Sequence, residues 1–321
     1  MREVRELLDA VQEVDADCAE DHEGRLDEAV KKELDNHPGA PPAVLAPSGI
    51  QHIRVRGLRG VSRTSLPSPA ILEAVVLLDR RGRKTLVPLA GDTVQAPGLG
   101  VFATKTLRES LGRRVKVGGA SVIVLRPSAR DLAETIARRA QVLTDKDLAA
   151  ILFAADIGPG AHVVEAGSGS GALSVVLASA VGREGRVVSY DVREEFLEMA
   201  RSNAARAGLA ARIEFRTGDV RLGINEVDLD AVVLDIPDPW AAVQAAWDAL
   251  RPCGHLACFS PNMEQVKETV AAIRARPFVD VYTIELIERH MEVRDVGVRP
   301  SFAPLGHTGY LTFARKVLEG F

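Results

Sequence analysis

From Ala161 onward the chain alternates short runs rich in Val, Ile and Leu with longer runs whose apolar residues recur every three or four positions. The short runs are "HVVEAG", "RVVSYDV", "RIEFRTGDV", "LDAVVLDIP" and "HLACFS". Between them stand "GALSVVLASAVG", "REEFLEMARSNAARAG", "WAAVQAAWDALRP" and "NMEQVKETVAAIRARP". A short apolar run marks a strand and a 3.6-residue period marks a helix. Strands joined by helices lie side by side as a mostly parallel sheet, with helices covering both faces. Two further apolar stretches, "FVDVYTIELIERHMEVRDVGVRP" and "HTGYLTFARKV", close the chain and suit an antiparallel edge hairpin.

The preceding residues are organised differently. Over 51–130, short β-rich runs ("AILEAVVLLD", "KTLVPL", "RVKVG", "SVIVLRP") are separated by the turn signals "RRGR", "GD", "PGLG" and "GG", which predicts a small β-domain built as a partial barrel. Next, "SARDLAETIARRAQVLTDKDLAAILFAADIGPG" reads as two helices broken around "VLTDKD". Residues 1–50 carry 13 acids and 5 bases, whereas the rest of the chain has a small basic excess, although the whole is −4. Leu7, Leu8, Val11 and Val14, then Leu26, Val30 and Leu34, predict two short amphipathic helices in that acidic segment, ended by the linker "HPGAPPAVLAPSG". The division expected is therefore 1–50, an acidic helical extension and linker; 51–130, a small β-rich domain; and 131–321, the α/β domain.

No stretch of 18 apolar residues occurs, and the acidic start is unlike a signal peptide, so a cytoplasmic protein without a membrane span is expected. Cys18, Cys253 and Cys258 show no metal-ligand spacing, and Cys258 in "HLACF" reads as a buried thiol.

The first strand of the α/β domain runs into "VVEAGSGSGALS". Gly167, Gly169 and Gly171 let the backbone approach a ligand and let the next helix start tightly against the strand. A dinucleotide site also uses such a loop, but it aims N–H groups at a pyrophosphate, which an acid at Glu165 would repel. S-adenosylmethionine has no phosphate, and it carries a sulfonium and an amino group that a carboxylate favours. Glu165, Asp191, Asp219 and Asp235 each fall at the end of a strand, hence on one rim of the sheet. Asp191 is placed to accept ribose hydroxyls and Asp219 an adenine amino group. "DIPDPW" ends a central strand in a stiff segment, where Pro237 and Pro239 cannot continue the ladder. Its Asp235 is a candidate for binding an exocyclic amine and balancing charge formed in methyl transfer.

Taken together with "LLDRRGR", "VLRPSARDLAETIARRAQ", "DKD" and "VRPSFAPLGHTGYL", these motifs resemble the class I S-adenosylmethionine-dependent tRNA (adenine-N1) methyltransferases that act on the T-loop adenine, over roughly 70–317. The resemblance implies an α/β, Rossmann-like class I methyltransferase sheet with a small N-terminal β-domain, usually in a homotetramer. It implies S-adenosylmethionine contacts from Gln141, Glu165, Gly167, Ser170, Gly171, Ala172, Asp191, Asp219 and Asp235, with Asp235 as the catalytic acid. It also implies a tRNA partner, whose target base is flipped into the pocket, and substrate contacts from Trp240, Arg299 and His307. Two features depart from the pattern. Thr144 and Asp145 stand where the family usually has an aromatic residue and a proline, and the acidic first 50 residues have no counterpart. A methyltransferase of the same fold acting on a small molecule or a protein, and a non-catalytic partner subunit, are the alternative readings. Retention of all four acids weighs against the latter.

Overall fold

The computed structural model describes residues 73–117, 120–137, 143–302 and 306–319. The acidic segment 1–50, Gln141, Arg138 and Arg139 lie outside the described residues. Those described all belong to the unit Pro67–Phe321.

The α/β part begins with α2 (Ala129–Thr135) and α3 (Asp145–Ala154), the two helices expected on either side of "VLTDKD". Then β7 (His162–Ala166), α4 (Ala172–Val181), β8 (Arg186–Asp191), α5 (Glu194–Ala207), β9 (Ile213–Thr217), β10 (Leu229–Leu234), α6 (Val243–Ala249), β11 (Leu250–Ser260) and α7 (Met263–Arg274) alternate as the periodicity predicts. The chain ends with β12 (Phe278–Glu285), β13 (Met291–Arg294), β14 (Gly297–Pro300) and β15 (Tyr310–Lys316). Seven strands form one sheet in the order β12-β15-β11-β10-β7-β8-β9, with β7 to β11 parallel and β15 antiparallel to both its neighbours. Val163, Val164, Val187, Val188, Val232, Val233, Leu256 and Ala257 are buried, as runs covered on both faces require. The long run read as one edge strand is divided: β12 pairs with β15 as expected, and β13 with β14 forms a separate hairpin after the charged break at Glu288, Arg289 and His290.

Upstream, β1 (Ala74–Asp79), β2 (Lys84–Pro88), β5 (Arg114–Val117) and β6 (Ala120–Leu125) form an antiparallel sheet in the order β2-β1-β6-β5. Its edge strands are β2 and β5. A second hairpin, β3 (Thr93–Ala96) with β4 (Gly100–Ala103), and the short helix α1 (Thr104–Glu109) complete it. This hairpin occupies a stretch read only as turns, because Gly and Pro conceal an alternation in which Val94, Ala96 and Phe102 are buried while Thr93, Gln95 and Val101 are exposed. Lys84 pairs with Asp131 (2.7 Å) and Glu134 (2.6 Å) of α2, tying this sheet to the α/β part.

Candidate active site

The chain departs from β7 in two directions, to β8 on one side and, later, to β10 on the other. Where strand order reverses in this way, a crevice opens beyond the carboxyl ends of the strands, and ligands bind there. Three backbone bonds close the floor of the crevice: Asp235 N–H donates to Ala166 O (2.8 Å), and the Gly167 and Ser168 N–H groups donate to Tyr190 O (2.8 and 3.1 Å). Glycine is demanded by the closeness of these strand ends. Gly167 has φ +94°, and a Cβ there would stand 2.0 Å from the Asp235 carbonyl oxygen. Gly171, at φ +80°, begins α4 against Ala200, whose Cα a Cβ would meet at 2.9 Å.

The resulting cleft has a volume of about 570 Å³, which is the size of a small-molecule site. Asp191, Asp219, Asp235 and Asp238 line it, so three of the four acids expected on this rim do meet there. Asp191 accepts from Gly169 N–H (3.1 Å) through Oδ2 and from Arg193 N–H (3.0 Å) through Oδ1. Asp219 is clasped by Arg221, whose Nε and Nη2 donate at 2.8 and 2.6 Å, and this guanidinium holds the carboxyl below its usual range. The same guanidinium reaches Asp238 at 2.7 Å, spanning the cleft from the β9 side to the β10 side. No described residue donates a hydrogen bond to the Asp235 carboxylate. Burial first, and the negative charge of Asp191 second, push its pKa up to about 7. An acid left without donors in an acidic cleft calls for a cationic or hydrogen-bond-donating ligand.

Glu165, the fourth acid, lies behind the glycine loop rather than in the cleft lining. It is fully buried, and it accepts from Ser174 Oγ (2.5 Å) on α4 and Ser189 Oγ (2.7 Å) on β8. Burial pushes its pKa up to about 8 against those two hydrogen bonds. Ser168 Oγ adds a 2.6 Å contact to Ser189 Oγ, and Asn203 Nδ2 donates to Ser170 O (2.8 Å). Glu165 is thus the hub that fixes the loop to the strand and helix on either side. Ala172 is the first residue of α4.

The residues expected on the substrate side are not among those lining this cleft. Trp240 lies in the single turn Pro239–Ala242 that follows "DIPD". Arg299, on β14, pairs with Glu292 (2.7 Å) and stacks over the Phe302 ring at 3.9 Å. His307 sits on the same rim as the cleft, beyond β11 and β15: Nδ1 meets Glu285 Oε1 (2.7 Å) and Nε2 meets Pro261 O (3.1 Å). Both partners favour the protonated ring, chiefly the Glu285 carboxylate, so the pKa of His307 is raised. Next to it, Thr308 joins a partly buried cluster with Lys146 (2.6 Å) and Asp147 (3.0 Å), and Thr144 Oγ1 donates to Asp147 Oδ2 (2.7 Å). "DKD" and "HTGY", far apart in sequence, therefore meet in space.

Arg193, Arg221 and Asp238 line the cleft without having been expected. "GDVR" carries a faint signal for Arg221, since a base two residues after an acid at a strand end is placed to pair with it. Ser174 and Ser189 carry another, as lone hydroxyls within the apolar runs "GALSVV" and "VVSYD".

Residues 121–300 match the family described as tRNA methyltransferase complex GCD14 subunit. The chain is 37% identical over 268 residues to the tRNA (adenine(57)-N(1)/adenine(58)-N(1))-methyltransferase TrmI of Methanocaldococcus jannaschii, an alignment covering 75% of this chain and 94% of that protein. It is 34% identical over 253 residues to the tRNA (adenine(58)-N(1))-methyltransferase TrmI of Thermus thermophilus, covering 78% and 97%. Among solved structures, a SAM-dependent O-methyltransferase from Thermotoga maritima superposes with a TM-score of 0.65 at 32% identity, covering 78% of this chain and 95% of that one.

Proposed function

The chain belongs to the tRNA methyltransferase family of the GCD14 subunit, and on that premise we propose that it methylates N1 of an adenine in the T-loop of tRNA, using S-adenosylmethionine. The observation that carries the proposal is the Asp235 carboxylate, without a donor and half-buried beside a glycine loop in an acid-lined cleft. When bound, S-adenosylmethionine supplies a methyl group on a sulfonium. The cleft fits such a group: it offers carboxylates to a cation and its glycines leave no Cβ in the way. Asp191 would accept the ribose hydroxyls, and Asp219, released from or shared with Arg221, the adenine amino group. Gly167, Ser170, Gly171 and Ala172 form the loop and first turn around the ligand, Glu165 holds that loop from behind, and Gln141 is assigned by resemblance alone.

Adenine N1 already carries a lone pair, so alignment matters more to its attack than a strong base does. Asp235 accepts the hydrogen of the exocyclic amine and thereby orients the base. Transfer of the methyl from the sulfonium to N1 would break the sulfur–methyl bond, leave the neutral thioether product and make the ring cationic, and the same carboxylate would stabilise that charge. His307 and Arg299 are assigned to tRNA contacts outside the cofactor cleft, with Trp240 bracing the segment that carries Asp235.

The three-part division at residues 50 and 130 is part of the proposal, as are a cytoplasmic location and a homotetramer. Among the described residues no helix is long and apolar enough to cross a membrane. Met291, Val293, Val296, Val298 and Phe302, exposed on and around the β13–β14 hairpin, support burial of that hairpin in an assembly.

The deciding experiment incubates the protein with methyl-labelled S-adenosylmethionine and unmodified tRNA, beside Asp235→Ala. Label in 1-methyladenosine that vanishes in the variant is expected. Cofactor binding without transfer to tRNA would overturn the substrate.

A further inference from the structure

The cofactor cleft presents four carboxylates and two guanidiniums, and both guanidiniums are already paired, Arg193 with Asp191 and Arg221 with Asp219 and Asp238. A polyanion gains nothing by approaching that rim, so an enzyme that works on RNA needs phosphate contacts elsewhere. The end of the β2-β1-β6-β5 sheet that carries the β1–β2 turn supplies them.

Four exposed cations collect there through strand register rather than sequence proximity. Arg80 and Arg81 occupy the turn between β1 and β2. Across the sheet, Asp79 is opposite Val122, and Val122 is opposite Val115 of β5, so Arg114 and Lys116 flank that row at the same end. Arg114, Ile123, Leu78 and Lys84 are direct partners in successive strands and share one face, with Lys116 two residues beyond Arg114 on the same side. Two interstrand spacings, about 10 Å, separate β1 from β5.

The turn is also built to hold its arginines outward. Asp79 accepts from the Arg81 and Arg83 N–H groups (2.8 and 2.9 Å) with one oxygen and from Arg83 Nε (2.7 Å) with the other, and Gly82 takes the left-handed φ of +79°. The acid of the turn is thus consumed by its own backbone and by Arg83. Among the described residues no acid pairs with Arg80, Arg81, Arg114 or Lys116. Lys84, by contrast, is neutralised by Asp131 and Glu134, and from α2 the contacts run on to Ala137, which Asn203 bonds beside Ser170 of the glycine loop. The row that carries Arg114 is therefore linked, through Lys84, α2 and Asn203, to the cofactor loop.

We propose that Arg80, Arg81, Arg114 and Lys116 form a phosphate-binding tip that anchors the sugar-phosphate backbone of the tRNA away from the acidic cleft. This rests on the tRNA reading and adds to it a location. A contact to phosphate is sequence-independent and shows as salt dependence: each one lost lowers the slope of log affinity against log salt by roughly 0.7–0.9.

The test compares wild type, Arg80→Ala with Arg81→Ala, Arg114→Ala with Lys116→Ala, and the four changes together, by fluorescence anisotropy with labelled unmodified tRNA from 50 to 300 mM salt. A double variant on α7, Lys267→Ala with Arg274→Ala, removes two exposed charges from another surface. The slope is expected to fall by about 1.5 in each tip double variant and about 3 in the quadruple variant. The KM for tRNA should rise about tenfold or more, while S-adenosylhomocysteine affinity and kcat at saturating tRNA stay at wild-type values. Tip variants that match wild type, or an α7 variant that loses as much as they do, would overturn the proposal. Wild-type protein that binds tRNA without salt dependence and forms no 1-methyladenosine would instead bring down the tRNA reading beneath it.

Discussion

Replacing Asp235 by Asn should stabilise the empty protein at neutral pH while destroying its activity. The pKa of Asp235 stands at about 7, against an ordinary 3.8, because burial and the neighbouring Asp191 disfavour its charge. The folded protein therefore binds a proton that the unfolded chain has released, and stability falls as pH rises between about 4 and 7. Three pK units correspond to an upper bound of about 4 kcal/mol. Residual exposure of the site and relaxation bring the expected gain for Asp235→Asn at pH 8 to roughly 2 kcal/mol, or about 4 °C in melting temperature. Asn cannot titrate, so the difference between variant and wild type should be small near pH 4, grow to pH 7, and stay level above it. Thermal unfolding followed by circular dichroism at half-unit pH steps measures this directly. In parallel, methyl transfer should drop by at least a hundredfold. A stability difference that does not vary with pH, or a variant less stable than wild type at pH 8, would refute the claim that Asp235 is a half-buried carboxylate lacking donors.

Three further outcomes are expected. S-adenosylmethionine, which carries the sulfonium, should gain about tenfold in affinity relative to S-adenosylhomocysteine between pH 6 and 8, as Asp235 ionises through about 7; calorimetry at the two pH values would show it, and a constant ratio would contradict it. Arg221→Ala leaves Asp219 and Asp238 unpaired and should raise that same preference by about two- to fivefold, as a half-exposed ion pair warrants; an unchanged or reduced preference would mean the electrostatics of the cleft do not select for charge. Gly167→Ala places a Cβ 2.0 Å from the Asp235 carbonyl, so the segment must shift by over 1 Å and kcat should fall about a hundredfold. Gly182→Ala, with a φ of +71°, a ψ of −158° and no atom within 4 Å, should cost only the ~1–3 kcal/mol of backbone strain and retain activity, and a similar kinetic loss in both variants would argue against the close-approach explanation.

What could be read from the sequence was whatever repeats locally. The strands from β7 to β11 are apolar runs, the helices between them have a 3.6-residue period, and the acids fall at strand ends, so Asp191, Asp219 and Asp235 could be placed on one rim before any coordinates. Partnerships across the fold left much weaker marks. Nothing in "VVEAG" says that Glu165 turns away from the cleft, because that depends on Ser174 and Ser189, which only folding brings within 2.5 and 2.7 Å. The same holds for Lys146 and Asp147 with Thr308, some 160 residues apart. The β3–β4 hairpin has a different cause: the turn signals at Gly91, Pro97, Gly98 and Gly100 conceal the alternation of its four-residue strands.

The cofactor and the substrate expected here impose opposite electrostatic demands. A cationic cofactor favours a cleft with surplus carboxylates, and Asp235 shows how far that surplus goes, since burial and the charge of Asp191 lift its pKa to about 7. A tRNA backbone brings negative charge and would raise that value further if it lay against the same rim. Keeping Asp235 ionised while RNA is bound therefore favours phosphate contacts held well outside the cleft, with only the flipped base, which is uncharged, entering it. With a Debye length of about 8 Å at physiological salt, even a modest separation between the Arg80–Lys116 tip and Asp235 suffices to decouple the two. This explains why the net charge of the chain, −4, says little about whether it binds RNA: what matters is where the unpaired cations stand, and strand register, which composition does not record, decides that.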